Sequence, residues 1–485
     1  MDQKFLKALH LILISLGLAI GFNYLFFDKL IGISVLLFVG ALVGTVCLFG
    51  LRQQVSFQKS WWLVALIAFF ALMPAVRANP LLTLLNVCAT FGLLMLLAQQ
   101  LVGTPSFLLK FMDYFTLVAL VPFRMLGKAL SVVSLVGQAR SQVKHRDMWL
   151  RIVKGALMAV PALAIFGLLF SQADLAFSQF VNGFIDIQIS ERTIQYTVLL
   201  AVAFVAALCF LSYIFFTAAA QPTVRTQLKT KKDGRETEVL VFLGLISALF
   251  LLFIGFQITY LFGGEANIIN AGFTYAEYAR RGFWELLAVA VLSLLVLLAS
   301  EKYSGSESTR DSQFLIPSLT LIGEVAVIIV SAFKRLSLYI DAYGMTILRF
   351  YVAGFIMLLL VLFVLLAVKF IRRKQEEFFA FGALLSVAAF LIAVNLVNPD
   401  AFISRSNMQQ YNRTGKVDVS YIRELSADAL PSKIELYTQV EGEDKEVLRG
   451  LLQAEKDTLE RNSAHWQSAN ISRVRGLRLL QNVEW

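Results

Sequence analysis

The chain has 485 residues, 58% of them hydrophobic and 16% charged, with a mean hydropathy of +0.71. That apolar content exceeds what the core of a water-soluble protein takes up, so a purely aqueous protein is excluded and lipid is the missing solvent. The net charge of +10 does not point to nucleic acid, because Lys and Arg sit mainly in short loops between apolar runs and not along one polar surface.

Apolar runs of about 20 residues, the length that crosses a bilayer core at 1.5 Å per residue, recur from Leu6 to Asn398 and then stop. In chain order they predict spanning helices at 6–27, 30–51, 61–77, 81–102, 152–171, 196–217, 239–262, 283–300, 315–333, 350–371 and 378–398, about eleven in all. The first follows Lys4 and Lys7 without a small-residue cleavage site, which marks a retained helix and not a removed signal peptide. Between the fourth and fifth, "FLLKFMDYFTLVALVPFRMLGKALSVVSLV" is apolar but broken by Lys110, Asp113, Pro122, Arg124 and Lys128, and we expect an amphipathic helix at the cytoplasmic interface there. If it spans instead, the four helices before it reverse orientation relative to the rest.

Three basic loops set the orientation. One holds Arg124, Lys128, Arg140, Lys144, Arg146 and Lys154, a second Arg225, Lys229, Lys231, Lys232 and Arg235, a third Arg372, Arg373 and Lys374. By the positive-inside tendency all three are cytoplasmic, together with the N-terminus, and an odd number of spans puts the tail outside. The tail itself changes composition abruptly, and "EVLRGLLQAEKDTLER" has the spacing of an amphipathic helix. The expected fold is all-α: a polytopic transmembrane helical bundle with a small C-terminal extramembrane domain. Its parts are N-terminal helices at 1–102, the interfacial segment at 103–150, the main bundle at 151–398 and an extracytoplasmic domain at 399–485.

Glu324 falls inside the run "LIPSLTLIGEVAVIIVSAF", where an ionised carboxylate costs roughly 2.5 to 3.5 kcal/mol on insertion scales, so it should not face lipid. Its plain reading is a structural buried ion pair or a protonated, hydrogen-bonded acid, its sharper one a proton or ion relay. Gln257, on a preceding span, is the only obvious polar companion. Two helix mouths on the outer side carry similar chemistry. "FTYAEYARRGFWEL" supplies Tyr275, Glu277, Tyr278, Arg281 and Glu285, and "KRLSLYIDAYGMTILRFY" supplies Arg335, Tyr339, Asp341, Tyr343 and Arg349. Each alone reads as an aromatic belt with a capping ion pair, Glu277 and Arg281 standing at i,i+4. Together with Arg405 and Asn407 they form a candidate cluster, for which we expect 273–286, 335–349 and 398–411 to converge through pairing of arginines with Glu277, Glu285, Asp341 and Asp400. Such a mouth presents Arg forks and aromatic walls to a carboxylate or phosphate.

Catalytic constellations are mostly absent. His10, His145 and His465 lie in three separate regions, and Cys47, Cys88 and Cys209 sit inside apolar runs, so neither a metal site nor a cofactor motif is expected.

The stretches "FTYAEYARRGFWEL", "RLSLYIDAYGMTILRFY", "NPDAFISRSNMQQY" continuing to "VSYIRELSADALPSKIE", and "HWQSANISRVRGLRLL" resemble a bacterial group of polytopic membrane proteins, the domain of unknown function 4173 family, with the related 4153 group further off. The resemblance covers roughly 239–485. It implies a multi-pass protein of the bacterial cytoplasmic (inner) membrane and supplies no reaction, substrate or catalytic residue. Its matched positions are Arg281, Tyr343, Arg349, Asn398, Arg405, Asn407 and Asp428. The first function expected is a non-enzymatic sensor, scaffold or partner subunit, embedded in the lipid bilayer, whose outer cluster binds an envelope ligand or another membrane protein. The alternatives are a transporter or channel using Glu324 and an enzyme acting on a lipid-linked substrate at the outer face.

Overall fold

A chain in hydrocarbon has no water to satisfy its backbone, so apolar runs of this length close their hydrogen bonds internally as helices. The computed structural model describes residues 3–52, 59–138, 191–217, 235–261, 283–304, 312–414 and 419–483, with Phe57, Phe170, Asp174 and Trp485 besides. Among them are sixteen α-helices and no strand. They are α1 (Gln3–Phe26), α2 (Ile33–Arg52), α3 (Trp61–Val76), α4 (Pro80–Leu101), α5 (Phe111–Gln138), α6 (Glu191–Phe216), α7 (Arg235–Leu261), α8 (Phe283–Ser304), α9 (Ser312–Tyr343), α10 (Ile347–Ile371) and α11 (Glu376–Val397), followed in the tail by α12 (Pro399–Thr414), α13 (Val419–Glu424), α14 (Leu430–Gln439), α15 (Glu443–Asn462) and α16 (Ile471–Gln481).

Ten of the described helices are long and apolar enough to cross a membrane: α1, α2 and α4 to α11. The chain is an all-α, multi-pass, membrane-embedded bundle. The span expected at 61–77 is α3, only 16 residues long, yet it joins the same two ends of the bundle as its partner α4. The span expected at 152–171 lies outside the described residues. The segment expected at the interface contains α5, one continuous 28-residue helix that meets the length and composition of a span.

The helices define two ends. At one, which we term the tail end, the connections 26–33, 76–80 and 343–347 and the C-terminus of α11 meet the tail. At the other, the basic end, Lys7 Nζ donates to the Phe215 carbonyl at 2.9 Å and joins the start of α1 to the end of α6. There too Tyr303 donates to Glu238 at 2.7 Å, Lys369 is ion-paired with Glu301, and Arg372, Arg373 and Lys374 turn the chain from α10 into α11. Part of α5 stays at this end. Lys110, just before it, lies 3.9 Å from Glu376 at the start of α11, and Tyr213, near the end of α6, donates its hydroxyl to Gln99 at 2.7 Å.

Local chemistry fixes the turns at the tail end. Asn79 caps α4 by accepting from Leu82 N, with Pro80 at the first helical position. Gly344, at φ 79°, turns α9 into α10, whose cap is Thr346. Asn398 ends α11 in the left-handed region at φ 59°, and Pro399 opens α12. One apolar core joins α1 to α6 and a second joins α7 to α10 and the start of α11, while Leu384, Leu391 and Ile392 of α11 pack on the first. Helix α7 is the outlier. It leans on its neighbours with a single stripe, Val239, Leu243, Ser247, Ile254 and Gln257, and only 17% of its apolar window is buried. Within lipid such contacts depend on close packing and polar bonds and not on hydrophobic drive.

Candidate functional site

Two polar assemblies stand out, one at the tail end and one inside the bundle. The first is built on the N-terminus of α4, where free backbone N–H groups attract an anion. Asp428, from the tail, fills that role: its Oδ2 accepts Ala78 N at 2.6 Å and Asn79 N at 3.1 Å. Its Oδ1 accepts from Ser472 at 2.5 Å and from Asn398 Nδ2 at 3.3 Å. Asp400, fully buried, accepts from Asn79 Nδ2 at 2.7 Å and from Ser426 N at 2.9 Å. Asn470 donates to the carbonyls of Pro74 at 2.9 Å and Arg77 at 2.8 Å, and the Ser472 oxygen also lies 2.9 Å from the carbonyl of Val76. Burial pushes the Arg473 guanidinium down from its ordinary value, and the Asp428 charge opposes that. Deeper in the bundle, Asn86 and Asn395 exchange amide hydrogen bonds at 2.9 and 2.8 Å.

The tail also reads the α9–α10 turn through its backbone. Asn407 accepts from Met345 N at 2.8 Å and donates to its carbonyl at 2.9 Å, and Tyr421 accepts from Ile347 N at 2.5 Å. Burial raises the Tyr421 hydroxyl above the ordinary phenol value, so it stays neutral there. A Cβ on Gly344 would come within 2.9 Å of Gln410 and 3.0 Å of Asn407, so this turn needs glycine for space as well as for its φ.

The segments 335–349 and 398–411 therefore converge, but not by the pairing expected. Arg349 donates to the Tyr343 carbonyl at 3.0 Å and to that of Gly344, and it stacks 4.0 Å over the Tyr339 ring. Arg405 bonds the Ala401 carbonyl of its own helix at 3.2 Å. Asp400 serves Asn79 and a backbone N–H. Carbonyls at a helix C-terminus are strong acceptors that residue spacing does not reveal, and here they replace the carboxylates as partners of arginine. Arg335 is turned away from this mouth, 3.2 Å from Gln257 inside the bundle. Tyr343, Asp341 and Glu285 are exposed. Tyr275, Glu277, Tyr278 and Arg281 lie outside the described residues.

The second assembly lies between α7 and α9. Glu324 is buried, as expected, but its partner is Ser247, which donates to Oε1 at 2.6 Å; Oε2 has no hydrogen-bond partner among the described residues. Gln257 sits further along the same seam, accepting from Ser331 at 3.0 Å and from Arg335. Among the described residues no group of three His, Cys, Asp or Glu side chains is placed to hold a metal ion. A cleft of about 250 Å³ in the tail, lined by Ile422, Leu448, Leu452 and Thr458, is bordered by the Lys433–Glu455 ion pair at 2.9 Å.

Sequence spacing missed Asn79, Asn86, Asn395, Asn470 and Ser472. A signal existed for some: Asn followed by Pro before an apolar run is an N-cap signature, and a lone Asn inside a spanning run seeks an interhelical partner.

A helical membrane bundle with a small helical module bonded to one end of it defines the class of this protein. A family model described as "Domain of unknown function (DUF4153)" matches residues 64–436, most of the chain, and the protein belongs to that family. The match is to the 4153 group and not to the 4173 group that the motifs resembled more closely. No curated protein and no solved structure matches the chain.

Proposed function

We propose that this is a non-enzymatic protein of the bacterial inner membrane, a sensor, scaffold or partner subunit, whose tail end is extracytoplasmic and carries its binding surface. The observation behind this reading is the convergence of 341–349 with 400–410. The side chains of Asn407 and Tyr421 hold that junction by bonding backbone groups of the α9–α10 turn, while Asp341, Tyr343 and Arg405 stay exposed on it. Exposed side chains on a junction fixed in this way are placed to meet a ligand or partner.

The orientation rests on charge and parity. In sequence Arg225, Lys229, Lys231 and Lys232 connect α6 to α7, both of which meet the basic end. Lys110 is at the basic end and α6 starts at the tail end, where Asn23 donates to the Tyr196 carbonyl at 2.9 Å. An odd number of crossings therefore separates them, which puts the start of α5 and the start of α6 on opposite sides, as the expected orientation requires. The exposed Ser463 tests the side. In intact spheroplasts, Ser463→Cys should react with a membrane-impermeant maleimide; reaction only after lysis overturns the orientation. For the surface, a photoreactive side chain at Tyr343 should give a discrete adduct in cells, and one at the lipid-facing Leu249 should not.

A second reading is transport through Glu324, favoured by its unpartnered Oε2. A proton or ion flux in proteoliposomes that Glu324→Gln abolishes would establish it in place of the first.

A further inference from the structure

The end of the tail is pinned to the rim of the bundle at the level where the spans stop. Ile33 N donates to the Ala469 carbonyl at 3.0 Å, Asn470 caps α16 while bonding the end of α3, and Trp466 stands 6.4 Å from Tyr24 at the end of α1. Where spanning helices end, a bilayer changes from acyl chain to headgroup. Three large apolar side chains are bare there: Trp466 is 54% exposed, Ile471 61% and Val474 44%. In water they would form an exposed apolar patch; beside lipid they match the belt of aromatic residues at membrane interfaces. The opposite side of α16 is spoken for, with Gly476 and Leu480 buried in the tail.

The exposed face continues with charge. Ile471, Val474, Arg475 and Arg478 share one side of α16 at helical spacing, so Arg475 lies one turn beyond Ile471 and beside Val474, and Arg478 one turn further on. Both are exposed, and neither side chain has a hydrogen bond or ion pair among the described residues. At the same rim Lys29 lies 4.9 Å over the ring of Tyr24, itself exposed and 6.4 Å from the Trp466 ring. Apolar side chains against the acyl boundary with unpaired cations next to them are the pattern of an interfacial helix that meets anionic lipid.

We propose that α16 is a membrane-surface anchor for the tail, with Trp466, Ile471 and Val474 seated in the interfacial zone and Arg475 and Arg478 bound to anionic phospholipid headgroups of the tail-end leaflet. The anchor does not depend on which side of the membrane the tail occupies. Its test uses the full-length protein in nanodiscs of phosphatidylcholine, with or without phosphatidylglycerol. The anionic lipid should raise the melting temperature of the wild type. Arg475→Ala/Arg478→Ala should lose most of that rise while melting unchanged in phosphatidylcholine. The basic end responds equally in both proteins, so their difference reads the anchor. Brominated lipid should quench a part of the tryptophan fluorescence that Trp466→Phe removes. A double variant that keeps the full rise overturns the headgroup contact, and quenching unaffected by Trp466→Phe overturns the seating. If the double variant fails to fold, Arg475→Gln and Arg478→Gln singly carry the same measurement.

Discussion

The two polar assemblies of this protein are built on opposite principles. At the tail end Asp428 and Asp400 sit among N–H, amide and hydroxyl donors contributed by four separate stretches of chain, and each of their oxygens is bonded. Between α7 and α9, Glu324 has one serine and, among the described residues, one oxygen without a partner. A buried polar group that is fully satisfied specifies one arrangement, because every alternative leaves several donors unpaired. A buried group left half satisfied contributes little to structure. The first assembly is a clasp between tail and bundle; the second leaves a buried acid that the fold does not fully use.

The clasp gives the largest expected effect. Asp428→Ala strips the acceptor from Ala78 N, Asn79 N and Ser472 together and should destabilise the docked tail by about 3 to 5 kcal/mol. A lower melting temperature, with new proteolytic cleavage between α11 and α12, is the expected record. A variant that melts like the wild type would show that the clasp is incidental to docking. Next comes Gly32, where a Cβ would stand 2.6 Å from the Ala469 carbonyl oxygen and 2.7 Å from the Ser468 carbonyl carbon. Both obstacles are backbone, so Gly32→Ala should cost about 1 to 3 kcal/mol by pushing the tail outward.

Much of the fold was legible in the sequence, because hydropathy reports the need to satisfy backbone in lipid. The boundaries that failed are informative. The span expected at 315–333 is a helix of 32 residues, since "KRLSLYIDAY" carries on as helix beyond the apolar run. The clasp was legible only in part. Asn398, Asn407 and Asp428 were marked by resemblance, but Asn79 and Asn470 act through caps and backbone carbonyls contributed by segments nearly 400 residues apart in the chain. Residue types alone suggested that arginines on one side must meet carboxylates; the Arg349 contacts show that a helix C-terminus and an aromatic face serve as well.

A third variant set separates satisfied from merely polar within the bundle. Asn86→Leu or Asn395→Leu alone orphans the partner amide and should cost about 1 to 2 kcal/mol, whereas the double variant should recover most of it, since apolar groups in both positions leave nothing unpaired. Equal losses in all three would mean that the pair is held by its surroundings and not by the reciprocal bonds.

The smallest effect is expected at Glu324. Gln has the same shape, keeps an acceptor for Ser247 and replaces the unpartnered Oε2 with an amide nitrogen. If the acid is neutral in the bundle, Glu324→Gln exchanges one uncharged group for another and should shift stability by no more than about 0.5 kcal/mol, the range of changes that break no named interaction. If instead the carboxylate is ionised, its hydrocarbon surroundings would already be costing roughly 2.5 to 3.5 kcal/mol, and the amide should stabilise the protein visibly. Melting curves of the two proteins in the same nanodisc distinguish these outcomes. Should Gln leave the melting temperature unchanged yet abolish a flux or a cellular phenotype, the half-satisfied oxygen would be the working group.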